Sequence, residues 1–163
     1  MIQEVDNSIF ENKPKPTPTF PRRNGFKVAV AFSEQVPASM DKEFADSICD
    51  ITLETEQSTR ISDCRGTVNF KLQPKSWELY YFILRLMQKN RIARGDNDHN
   101  PITATFTITQ GDTPNGALKE TVIITVKNAE IKELSAVQLS HASFDKIDFD
   151  AKFEFSDYEL KLV

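Results

Sequence analysis

Glycine is scarce in this chain, five in 163 residues, and the shortage closes off one class of chemistry. Phosphate-cradling loops need clustered glycines so that bare backbone can approach the ligand. No such loop, no G-x-S-x-G and no HExxH occurs here. Histidine and cysteine are rarer still, two of each. His99 and His141 fall in loop-like stretches, and neither stands in a metal-ligand spacing with Cys49 or Cys64. Two thiols make no disulfide framework. If 48–58 and 62–72 form a hairpin turning near residue 60, the two cysteines lie on the order of 20 Å apart, at about 3.4 Å per residue. That is beyond bridging range, so both read as buried or half-buried thiols of a reducing cytoplasm. No run approaches the ~20 apolar residues of a membrane helix. The N-terminal "MIQEVDNSIF" lacks the basic-then-apolar order of a signal peptide. A basic excess is missing too. Twenty Lys+Arg stand against twenty-four Asp+Glu, a net charge of −4, which argues against tight nucleic-acid binding. The short basic spots at Arg22–Arg23 and at Lys89, Arg91 and Arg94 read as solvated charge.

What is present is alternation. "FKVAVAF" (26–32), "CDITLETEQST" (49–59), "GTVNFKL" (66–72), "PITATFTIT" (101–109) and "TVIITVKNA" (121–129) each place apolar residues at every second position, the signature of a half-buried strand. The longest case is "FDKIDFDAKFEFSDYEL" (144–160). Ile147, Phe149, Ala151, Phe153 and Phe155 face one way, and Asp148, Asp150, Lys152, Glu154 and Ser156 face the other. "QGDTPNGALKE" with its Asn-Gly joins two strands as a hairpin. The period changes between Pro74 and Gly95. Ser76 is a candidate N-cap, Glu78 sits in the first turn, and cations gather towards the stop. This helix, about 76–90, is apolar nearly all round and so must be covered on more than one side. "SEQVPASMDKEFADSIC" (33–49) reads as a long loop with a short helical turn near Met40–Ala45, a length usually reserved for interaction. Four prolines at 14, 16, 18 and 21 make residues 1–25 an extended arm rather than a helix or inner strand. The remainder, 26–163, reads as one domain. Its fold class is mainly β with some α: an antiparallel β-sandwich or partly closed barrel with one packed helix.

Candidate chemistry is thin. Asp96, Asp98 and Asn100 begin like a calcium loop, but Pro101 stands where a glycine is needed and Thr107 where a bidentate glutamate is needed. The pairs Glu54/Glu56 and Asp148/Asp150 share a strand face, as carboxylates for glycoside chemistry would. They lie in open alternations without an apolar pocket to raise one pKa. No catalytic constellation, cofactor site or metal cluster emerges, and the chain reads as a non-enzyme.

The order of elements from residue 48 on resembles phage tail tube proteins of the contractile-tail type, the group that includes bacteriocin tubes. The likeness runs through "TLETEQSTRISDCRGTVNFKLQPKSWELYYFILRLMQKN", a strand, a turn, a G-T-x-x-F strand and an aromatic helix. It continues through the hairpin from Pro101 to a closing strand that ends in F-x-F-x-D-Y. The resemblance implies a subunit of a tube: six copies to a ring, inner sheets joined around a channel, rings stacked, double-stranded DNA passing through without tight binding. It implies sheath, baseplate and terminator proteins as partners, no membrane, and a place in the virion tail after synthesis in the host cytoplasm. On that reading Glu54, Glu56, Asp148, Asp150 and Glu154 line the channel, where like charge keeps DNA from adhering. Ile9, Phe10, Phe20, Val36, Met40 and Phe44 contact neighbouring subunits. The alternatives are a related ring former (a type VI secretion or bacteriocin tube, or a tail terminator) and a monomeric β-sandwich that binds carbohydrate or protein. The last would show an exposed aromatic platform, whereas most aromatics here lie on the apolar phase of strands or in the helix.

Overall fold

The computed structural model describes residues 25–33, 38–55, 66–95, 101–112 and 118–163. Seven strands and two helices follow in the order β1 (Phe26–Phe32), α1 (Ala38–Ser47), β2 (Ile48–Glu54), β3 (Gly66–Leu72), α2 (Glu78–Gly95), β4 (Ala104–Asp112), β5 (Lys119–Leu134), β6 (Phe149–Phe155) and β7 (Asp157–Leu162). All strand pairings are antiparallel, and the hydrogen-bonded path runs β1-β4-β5-β6-β3-β2 with β7 added to β5. The ends of that path, β1 and β2, are not joined, so the sheet stays open, as the sandwich or partly closed barrel expected from the alternations.

One strand makes two layers. The first half of β5 lies between β4 and β7, while its second half, Glu130–Leu134, pairs with β6. The switch falls at Asn128, the one non-glycine residue with positive φ (53°) among those described. Asparagine tolerates this left-handed conformation better than β-branched residues do. The first sheet is therefore β1, β4, β7 and the N-terminal half of β5. The second is β2, β3, β6 and the C-terminal half of β5. Their apolar faces meet ring against ring. Phe106 of the first sheet stands 4.8 Å from Phe153 and 4.7 Å from Phe70 of the second. At one bulge of the first sheet glycine is required: a Cβ on Gly111 would lie 1.8 Å from the Lys119 carbonyl oxygen.

The helices close the open sides. In α2, Leu79, Ile83, Leu86 and Asn90 recur at helical spacing and are buried, whereas Tyr81, Arg85 and Ile92 are exposed. Its apolar circumference is thus only partly covered in the isolated subunit. Asn90 clamps the chain as it enters β4: its amide nitrogen donates to the Ile102 carbonyl (3.1 Å), and the Ile102 N–H donates to its side-chain oxygen (2.8 Å). Ser76 does not cap the helix through the expected hydroxyl contact; its Oγ donates to Glu43 Oε1 at 3.1 Å, tying α2 to α1.

Three further expectations change. The long loop after β1 contains a ten-residue helix, α1, because Phe44 and Ser47 fall on one face and reach the interior. The final alternation does not begin as a strand at residue 144. Phe144 is 99% exposed, and β6 starts only at Phe149, where pairing with Leu72 begins. Cys49 is exposed rather than buried, because the register shifts between Ile48 and Asp50; Ile48 takes the inward position instead. Cys64, Asp96, Asp98, His99, Asn100 and the arm 1–24 lie outside the described residues.

Candidate functional site

The outward face of the second sheet collects the polar halves of four strands. Register defines three rows across it. Asp50 and Asp150 flank Lys71 in the first. Thr52, Asn69, Lys152 and Glu133 follow one another in the second. Glu54, Thr67, Glu154 and Glu130 make up the third. Lys132, at a register shift in β5, sits beside the third row and donates to Glu154. Residues two apart on a strand share a face, and residues opposite one another come within about 5.5 Å, so these groups form one continuous surface. A shallow depression of about 550 Å³ crosses it, lined by Thr52, Glu54, Thr67, Asn69, Glu133, Leu134, Ser135, Asp150 and Lys152.

The charge on this face is uneven. Six carboxylates stand against three ammonium groups across these rows: the first row sets two acids against Lys71, the second balances, and the third aligns three glutamates beside Lys132. The expected acidic face is therefore a mixed face, balanced across its middle and acidic at both margins. Lysine recurs on the same strand phase as the acids and neutralises part of them. Of the residues expected to line a channel, Glu54, Asp150 and Glu154 are brought together here. Asp148 precedes β6 and pairs with Lys71 at 3.8 Å. Glu56 lies outside the described residues. The sequence reading missed Glu130 and Glu133. Their signal was "EIKEL", which reads as an extension of the β4–β5 hairpin; its pairing with β6 is set by the bend at Asn128.

The residues expected between subunits separate similarly. Phe44 packs its ring at 5.3 to 6.0 Å from Phe70, Phe106, Phe153 and Phe32 and is fully buried in the subunit's own core, so it offers a neighbour no surface. Met40 is half-buried on α1. Ile9, Phe10, Phe20 and Val36 lie outside the described residues. On α1, Asp41 is held above the usual carboxylate range because burial disfavours its charge; the Phe32 backbone N–H opposes this. One of its oxygens is buried without a hydrogen-bond partner.

Among the described residues no group of histidine, cysteine or acidic side chains is placed to hold a metal, and no helix is long and apolar enough to cross a membrane. The face offers a broad polar surface of graded charge, suited to lying against a charged or hydrated partner.

No protein-family model matches the chain, and no curated protein matches it. Solved structures do. A chain of the anti-feeding prophage (AFP) baseplate, determined by cryo-EM with 6-fold symmetrisation, superposes with a TM-score of 0.54 at 14% identity, covering 91% of this chain and 99% of that one. A chain of the AFP tube-terminating cap gives 0.49 at 14% identity, with 91% and 96% covered. One from the sheath–tube complex of the PVC extracellular contractile injection system gives 0.45 at 16%, with 98% and 99% covered. At TM-scores under 0.5 those two likenesses are too loose to fix a shared fold. With the AFP baseplate chain this protein shares its fold over nearly the whole length of both.

Proposed function

We propose that this chain is a non-enzymatic structural subunit of a contractile-tail tube. Copies close into rings, six to a ring, and the rings stack around a channel towards which the outward face of the second sheet is turned. One observation carries the reading: the fold is that of a chain in a 6-fold symmetrised baseplate, matched over 91% of this chain and 99% of that one. The second-sheet face supports it chemically. A wall whose net charge has the sign of DNA repels the polyanion within a Debye length, about 8 Å at physiological salt, so double-stranded DNA slides through without adhering. Partners are further copies, the sheath and the end proteins of the tube, and the site of action is the virion tail. The Pro-rich arm 1–25, with Ile9, Phe10 and Phe20, together with Val36 and Met40, reaches neighbouring copies; removing residues 1–20 impairs polymerisation more than folding.

Electron microscopy of the concentrated protein, with and without a nucleating tail end, tests this. Hollow rings or tubes are expected. Solid, non-annular or solely monomeric material under all these conditions rejects the reading. A second reading, a baseplate or terminal ring that does not propagate, is favoured by the fold match itself being to a baseplate. It predicts discrete single or double rings where a tube protein gives long polymers.

A further inference from the structure

The first sheet is left open along one edge. β7 pairs with β5 through Ile124↔Leu160 and Val122↔Leu162, and among the described residues no strand pairs with its other side. Opposite residues of a ladder share a face. Ile124 belongs to the core and Val122 packs against it, so Leu160 and Leu162 are turned inward, yet they are 60% and 74% exposed. The other two edge strands differ. Val28, Val30 and Phe32 of β1 pack against the core, as do Ile48, Ile51 and Leu53 of β2. A strand edge with uncovered inward residues is a place where a further strand fits.

The chain holds one segment suited to that edge. "PKPTPTF" (14–20) alternates Pro14, Pro16, Pro18 and Phe20 with Lys15, Thr17 and Thr19. In an extended strand, residues two apart turn their side chains to one face and their backbone groups to one edge. The prolines therefore remove N–H groups from one edge only, and Lys15, Thr17 and Thr19 keep theirs on the other. Such a run can pair on one side and not on both, which confines it to the outside of a sheet. The other segments outside the described residues lack this pattern. In 56–65, the longest of them, Ile61 and Cys64 are the sole apolar residues.

We infer that residues 14–20 of one copy add as an edge strand to β7 of a second copy, with the Pro–Phe20 face lying over Leu160 and Leu162. This rests on the reading of the protein as self-assembling. Register places donor and receiver. Phe26, Gln110, Val122 and Leu162 form one row across the first sheet, so the arm leaves β1 at one edge while β7 lies at the other. The far side of β7 is four strand spacings from β1, about 19 Å, and the six steps from Phe26 back to Phe20 span about 20 Å when fully extended. Part of that length is already committed, because the Gly111 N–H donates to the Gly25 carbonyl (3.0 Å) and holds the chain along β4. The β4–β5 hairpin also projects beyond Phe26, through Gly111↔Glu120 and Asp112↔Lys119, and stands across the path. The arm of the same copy has no slack to pass round it; the arm of a neighbour has no such limit. A donor and a receiver at opposite edges of one sheet form the head-to-tail arrangement that closes a ring when repeated.

The test uses the full chain. On a Cys49→Ser, Cys64→Ser background, Lys15→Cys, Thr17→Cys and Thr19→Cys proteins are each mixed with mass-tagged Lys161→Cys protein. At least one should form a disulfide-linked mixed pair, and none should with Ala29→Cys protein, whose thiol lies on β1. Thr17→Pro, which removes an N–H from the pairing edge, and Leu162→Lys should each raise the concentration of half-association at least about ten-fold by sedimentation, with the melting temperature of the dissociated chain unchanged. Pro16→Ala, on the other edge, should change it far less. Unaltered association of Thr17→Pro or Leu162→Lys overturns the contact. So does the absence of linkage above the Ala29→Cys control, or linkage found only within single chains carrying both Thr17→Cys and Lys161→Cys. The two readings fail separately. Hollow tubes from Leu162→Lys reject the contact and leave the tube standing; mixed linkage without hollow particles upholds the contact and rejects the tube.

Discussion

The two outward faces of the sandwich are built on the same alternation and offer solvent different surfaces. On the first sheet, Ala29, Thr107 and Thr125 lie side by side, flanked by Ala31 and Thr105. Its charges are peripheral and matched: Lys27 meets Glu120 and Lys127 meets Glu159, each at 2.6 Å. The Glu159 hydrogen bond raises the Lys127 pKa above its ordinary value. The second sheet carries its charge in the middle of the strands and ends in a row of three glutamates. Identical geometry thus yields one neutral face of small residues and one face with acidic margins. The difference lies entirely in the residues on the outward phase. A sheet lining a DNA passage needs the second kind of surface, which is why the proposed tube turns that face towards its channel.

The comparison can be broken most severely at what the two faces share. Phe44→Ala empties the junction where both sheets and α1 meet, and should cost about 3–5 kcal/mol, read as lost stability in urea melts. An outcome under 1 kcal/mol would mean that the sheets are not held by one core. Charge reversal distinguishes the faces themselves. Glu54→Lys, Glu130→Lys and Glu154→Lys together should raise the affinity of assembled particles for double-stranded DNA by about a hundred-fold or more at low salt. Asp157→Lys with Glu159→Lys on the first sheet should change it far less; equal gains from both sets would remove the channel assignment. At the junction of the sheets, Asn128→Val should destabilise by about 1–2 kcal/mol, since a β-branched residue resists positive φ, while Asn128→Gly is neutral or better.

The smallest effect concerns Asp41. Its folded pKa is raised from 3.8, so the folded state holds the proton more tightly than the unfolded chain does. Its contribution to stability is greatest below 3.8 and is lost as pH rises through the folded value. Asp41→Asn should therefore gain a few degrees in melting temperature at neutral pH and lose that advantage in acid. A gain that persists undiminished at low pH would point to a cause other than the buried charge.

Much of the second sheet was legible before folding, because a two-residue period tells which side chains share a face. Glu54, Asp150 and Glu154 could be grouped on that ground, and the β4–β5 hairpin and α2 followed from turn and cap signals. Period says nothing about which strands become neighbours. The lysines opposite those acids, and the glutamates of β5 that complete the third row, are adjacent only through pairing of residues distant in sequence. The α1 helix was missed as a full element because its inward residues are few, and Phe44 looked available to a neighbour until four other rings enclosed it.

The sequence by itself determined most strands, the principal helix and the sign of the net charge, since these depend on local spacing and composition; the run 144–160, read as one strand, instead divides into β6 and β7 of different sheets. Only the tertiary structure decided that β5 divides between two sheets at Asn128, that acid collects along the margins of one face, and that Phe144 is left in water. Each of those depends on contacts between segments far apart in the chain, which close only when the core forms.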